Sequence, residues 1–141
     1  MSDKQRGLTR AEVIWTAVLL TAFALVIVNT LRSEVARAKH RMCKDTLAYV
    51  SAQVHFAFEA QGITKNSQLD NFFSSPSQDL SSLVGNEFYL PTDPWESNFI
   101  LHRTAESELW VISLGGNGKM PQQPYDSSSL AKQVHLPFWA N

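Results

Sequence analysis

The chain carries one cysteine, Cys43, in 141 residues. An internal disulfide is therefore excluded, and cysteine usage says nothing about the redox compartment. A free cysteine ordinarily behaves as a small apolar residue, and Cys43 reads that way on a helix face. Net charge is −1, which excludes the strongly basic footprint of a nucleic-acid-binding domain. Catalytic patterns are also missing. His40, His55, His102 and His135 are scattered, without H-x-x-x-H or H-E-x-x-H spacing for zinc. Ser113 precedes Gly115-Gly116 but sits in no G-x-S-x-G elbow. Gly115 to Gly118 lacks the Lys-Ser/Thr of a phosphate-binding loop. Cys43 has basic neighbours but no context that marks a nucleophile. These absences argue against an enzyme, and the length allows one modest domain.

What the chain does have is a concentrated apolar run. Val13 to Leu31 contains no charged residue in 19 positions, about 28 Å of helix and close to the hydrocarbon thickness of a bilayer. A helix satisfies its own backbone in lipid. Hydroxyls such as those of Thr16, Thr21 and Thr30 can bond back to carbonyls one turn earlier. The competing reading, a buried core helix, fits poorly with a run of this length. No small-residue cleavage site follows the run, which passes into Arg32-Ser33-Glu34, so an ordinary secretory signal is not indicated. Glu12 stands at its edge. A carboxylate there is costly in lipid and invites a functional reading. The bland alternative is an interfacial Glu in the first helical turn, stabilised by the helix dipole.

Before the run the chain reads Lys4-Gln5-Arg6-Gly7, then Leu8-Thr9-Arg10-Ala11-Glu12-Val13. This resembles the leader of type IV pilins and pseudopilins, which ends in Gly, is cut by a prepilin peptidase, and places Glu at the fifth mature position. The resemblance implies cleavage between Gly7 and Leu8, N-methylation of Leu8, and pairing of Glu12 with the Leu8 amine of a neighbouring subunit. A desolvated carboxylate needs such a cation. Arg10 replaces the usual apolar residue, and Asn29 stands where many pilins have a helix-bending Pro. Basic residues lie at both ends of the span, so charge leaves its orientation open. The resemblance implies a cytoplasmic N-terminus and an external head.

Beyond Leu31 the helical pattern continues. Val35, Met42, Cys43, Leu47, Val50, Val54, Ala57 and Phe58 recur at spacings of three, four and seven. One helix from about Leu8 to Gln61 is expected, with Gly62 as its C-cap. The basic cluster Arg32 to Lys44 suits either anionic surfaces or plain solvation. Residues 63–86 read as loop with one short helical turn, with Leu69, Phe72, Phe73, Leu80, Leu83 and Val84 available to pack on the helix. Phe88-Tyr89-Leu90 is a strand signal before the turn at Pro91 to Pro94. Residues 98–103 and 108–114 read as two strands, with Thr104 to Ser107 as their hairpin loop. Gly115 to Gly118 then breaks the chain.

Asp93-Pro94-Trp95 followed by Phe99 resembles the DPWGxPY segment of major pseudopilins of type II secretion, and Ser113 to Gly118 resembles their S-x-G-x-D-G loop. Glu96 replaces the usual Gly and Asn98 the usual Pro. The implied fold is α+β: a long N-terminal helix packed by its second half on a small antiparallel sheet. The implied division is a leader at 1–7, a membrane-spanning helix at 8–31 and a periplasmic head at 32–141. Calcium enters through the same resemblance. Its ligands would be the Leu114 carbonyl, the Asn117 amide oxygen, Asp126 and Ser127. One carboxylate is thin for an ion that takes about six to eight oxygens, and the alternative is a plain turn followed by a loop.

The function implied is a structural subunit of a type II secretion pseudopilus, anchored in the bacterial inner membrane. Its partners would be other copies, other pseudopilins, the prepilin peptidase, an inner-membrane assembly platform and lipid; no nucleic acid is expected. A type IV pilus subunit for adhesion, motility or DNA uptake is one alternative. An uncleaved, signal-anchored periplasmic binding module is another.

Overall fold

A computed structural model of the chain describes residues 9–63, 66–84, 89–104, 108–126 and 129–135. The chain divides into two compact units at Ala38/Lys39. Helix α1, Arg10–Ala60, is 51 residues long and contributes to both.

In the first unit, α1 is exposed on every side. Val13, Trp15, Leu19 and Phe23 are 52%, 68%, 66% and 65% exposed, so no face is reserved for a core. The segment is long and apolar enough to cross a membrane. Its hydroxyls turn inward as expected: Thr16 donates to the Glu12 carbonyl, Thr21 to that of Ala17 and Thr30 to that of Val26, at 2.8 to 2.9 Å. Polar atoms thus add little cost in an apolar medium.

In the second unit, α1 acquires a buried face. Cys43, Leu47, Val50, Val54, Ala57 and Phe58 form its core stripe. The helix ends in a Schellman turn. Gly62, at φ 70°, donates to the Glu59 carbonyl, and Ile63 donates to that of Phe58. Only a residue at ease in the left-handed region closes this turn cheaply. Ile63 is buried after it and joins the same core as Phe58.

Helix α2, Asn66–Phe72, and helix α3, Leu80–Val84, follow, so the stretch read as loop holds two short helices and a strand. Leu69 and Leu80 are fully buried, while Phe72, Phe73 and Leu83 pack against the core from its margin. Phe58 and Phe72 meet edge to face at 5.3 Å, an arrangement that suits their ring quadrupoles. The Val84 side chain lies outside the described set.

The sheet has four antiparallel strands in sequence order: β1 Ser77–Asp79, β2 Ile100–Arg103, β3 Leu109–Ile112 and β4 Ala131–Gln133. The two central strands match the sequence expectation but are shorter. Tyr89 and Leu90 are not strand, and Tyr89 is largely exposed. Phe88 lies outside the described residues. Alternation sends Leu101, Leu109 and Val111 into the α1-facing core and places His102, Trp110 and Ile112 on the opposite face.

Candidate functional site

Gly7 and Leu8 fall outside the described residues; Glu12 does not. Thr9 precedes α1, and its backbone N–H and hydroxyl both donate to Glu12 Oε2, at 2.7 and 2.9 Å. The Glu12 N–H reaches back to Thr9 Oγ1 at 3.4 Å. This is a capping box, in which N-cap and third-residue side chains satisfy each other's backbone donors. The T-x-x-E spacing is the sequence signal for this box, one that reading Glu12 by its position alone misses, and it explains how the carboxylate is held at the head of an apolar helix. Arg10 is exposed beside it.

In the head, the two short motifs singled out from the sequence meet. Asp93 is only 3% exposed. Its Oδ1 accepts the N–H groups of Trp95 and Ser97, at 3.0 and 2.8 Å. Its Oδ2 accepts the Ser113 hydroxyl at 2.7 Å, and Ser113 Oγ accepts the Gly115 N–H at 3.1 Å. A buried carboxylate with three donors is well satisfied, and one stripped of them would be costly. Trp95 closes the junction from outside. A Cβ added at Gly116 would lie 2.8 Å from its indole nitrogen, so the tryptophan needs a glycine beneath it. Glu96, where the resembled motif has Gly, sits at φ 64°, a left-handed conformation that costs a non-glycine residue about 1 kcal/mol.

Cys43 meets this network from α1. Burial pushes its thiol pKa up, the Ser113 hydroxyl pulls it down, and the charge of Asp93 pushes it further up. The net rise keeps the thiol protonated at neutral pH and inert.

The residues considered for calcium are engaged in local turns. Asn117 Oδ1 accepts the Lys119 N–H at 3.1 Å. Asp126 Oδ1 accepts the N–H and hydroxyl of Ser129 at 3.0 and 3.1 Å. Leu114 is half-buried at the start of the 3-10 turn Gly115–Asn117, and Ser127 lies outside the described residues. Among the described residues, no three His, Cys, Asp or Glu side chains are grouped to hold a metal. The described part of this set offers one carboxylate, where calcium takes about six to eight oxygens.

A cleft of ≈ 630 Å³ opens between Phe73, Pro76, His102, Arg103 and Gln123. Arg103 is paired with Asp70 there. His102 has both ring nitrogens engaged, Nδ1 with Ser77 Oγ at 2.6 Å and Nε2 with the Gln123 amide nitrogen at 2.9 Å. With Gln123 donating, the ring proton sits on Nδ1. No nitrogen is left over for base chemistry.

The chain thus combines a helix headed by a capped glutamate, an apolar first half without a core face, and an Asp-Pro-Trp turn locked to a glycine loop. One curated protein matches the chain by sequence. The chain is similar to a secretion-system core protein. It is 27% identical over 126 residues, 84% of this chain and 87% of the other, to the type II secretion system core protein G of Escherichia coli (strain K12). No family model matches the chain, and no solved structure does. The likeness agrees with the pseudopilin resemblance of the leader and head motifs, and the α+β arrangement is pilin-like.

Proposed function

We propose that this chain is a structural, non-enzymatic subunit of a type II secretion pseudopilus. The observation that carries this reading is the exposed apolar half of α1 headed by Glu12. Such a surface needs lipid or the helices of other subunits around it. In this reading, residues 1–7 are removed between Gly7 and Leu8. Residues 8–31 hold the subunit in the inner membrane with the N-terminus cytoplasmic, and residues 32–141 carry the periplasmic head. Glu12 exchanges its Thr9 donors for, or shares them with, the Leu8 amine of a neighbouring copy. The helix then leaves lipid for other helices at little cost, because both surroundings are apolar. Support within the head comes from Met42, Tyr49 and Phe56. They are 65%, 47% and 55% exposed and recur every seventh residue on α1. That spacing keeps one face with a drift of about 20° per heptad, a stripe suited to contact with further copies. The similarity to core protein G supports filament partners of the same kind, with the prepilin peptidase and an assembly platform acting on the membrane-held form.

The test is the intact mass of the membrane-extracted protein made with and without a prepilin peptidase. Loss of Met1 to Gly7 with one added methyl on Leu8 is expected. Glu12→Val is then expected to leave the protein in the membrane while abolishing fibres. A mass unchanged by an active peptidase would overturn the reading in favour of a signal-anchored module. Loss of twitching or transformation with intact secretion, in a deletion strain, would move it to a type IV pilus.

A further inference from the structure

We infer that the segment after the glycine turn, residues 119–126, is fastened to the sheet by a ring clasp that takes the place of a metal, so that this head is calcium-independent. The clasp is built on a cross-strand pair. His102 and Trp110 are direct partners in the β2–β3 register, on the face turned away from α1. Tyr125 packs on both, 5.0 Å from the Trp110 ring and 6.2 Å from that of His102, the latter edge to face. Gln123 adds its amide hydrogen bond to His102, which is tied in turn to β1 through Ser77. The loop is therefore joined directly to β2 and β3, and through His102 to β1, by two residues two positions apart.

An independent sign of a covered outer face is Ile112. It stands two residues from Trp110, is 0% exposed, and yet is not part of the continuous core beneath the sheet. Rings of this size exclude water and hold geometry through offset and edge contacts. Calcium would hold the same loop through oxygens, and among the described residues the candidate side-chain oxygens are turned onto the loop's own backbone: Asn117 Oδ1 accepts the Lys119 N–H and Asp126 Oδ1 that of Ser129. The loop thus has an aromatic fastening where its described side chains are too poor in carboxylate for an ionic one. The inference goes beyond the filament reading and does not depend on it.

The experiment uses the full chain in detergent, with trypsin cleavage after the exposed Lys119 as the local readout and thermal melting as the global one, each in chelator and in millimolar calcium. Wild type is expected to melt and to be cleaved identically in both conditions. Tyr125→Ala is expected to be cleaved about tenfold faster, the order of effect for losing a packed ring pair that gates local opening. Added calcium should not slow it. Tyr125→Phe, which keeps the ring, is expected to match wild type and guards against a general folding defect. A calcium-dependent rise in wild-type melting temperature or protection would overturn the inference. So would wild-type protection in Tyr125→Ala.

Discussion

The two halves of α1 follow different rules within one helix. Up to Ala38 every described residue is exposed and apolar side chains point all round. From Cys43 to Phe58 burial recurs on one stripe, and the exposed side carries Arg41 and Glu59 beside Met42, Tyr49 and Phe56. Periodicity is needed only where a helix has a wet side and a dry side. The first half has no such sides in the isolated chain, which is why composition, not pattern, identified it.

That contrast can be broken most sharply by the same truncation in each half. Leu47→Ala should cost the head about 3 kcal/mol, because Leu47 is fully packed and the cavity cannot close. Leu19→Ala, at an exposed position, should change head stability by less than about 0.5 kcal/mol. Urea unfolding in detergent, followed by tryptophan fluorescence, reads both; equal losses would show that the halves are not distinct. Next in size is Asp93→Ala, which strands the Trp95 and Ser97 N–H groups and the Ser113 hydroxyl and should cost about 2–3 kcal/mol by the same measurement. Glu96→Gly should act in the opposite direction, raising stability by about 0.5–1 kcal/mol through relief of the left-handed strain.

The smallest effect is a pH dependence confined to the head. Burial disfavours the charged His102 ring and lowers its pKa below the ordinary histidine value. The folded state then binds protons less readily than the unfolded one. Its contribution is full above about pH 6.5 and is lost as pH falls through the lower folded value. His102→Gln should flatten that part of the urea-midpoint profile. An unchanged profile would remove His102 as its source.

The long helix, its Gly62 end and the β2–β3 hairpin were legible because each rests on local signals: an apolar run, a glycine after a periodic stretch, and alternating Leu101, Leu109 and Val111. The edge strands were not. Ser77-Gln78-Asp79 and Ala131-Lys132-Gln133 are short and almost wholly polar, and they are strands because β2 and β3 offer them partners. Tyr89 misled for the converse reason, since β propensity without a neighbouring strand leaves a residue in solvent. At the candidate site, Glu12 was found from its position, while its partner Thr9 was overlooked. The Asp93–Ser113 bond could not be read at all, because it spans 20 positions and neither residue announces the other.

Trp95 lying over Gly116 also constrains the order in which this head can change. A side chain at Gly116 collides with the indole unless Trp95 has already been replaced by something smaller. Once Trp95 shrinks, the hollow it leaves favours filling from position 116. Substitution is therefore expected to be tolerated in one order and penalised in the other, which gives the pair of positions a direction of change.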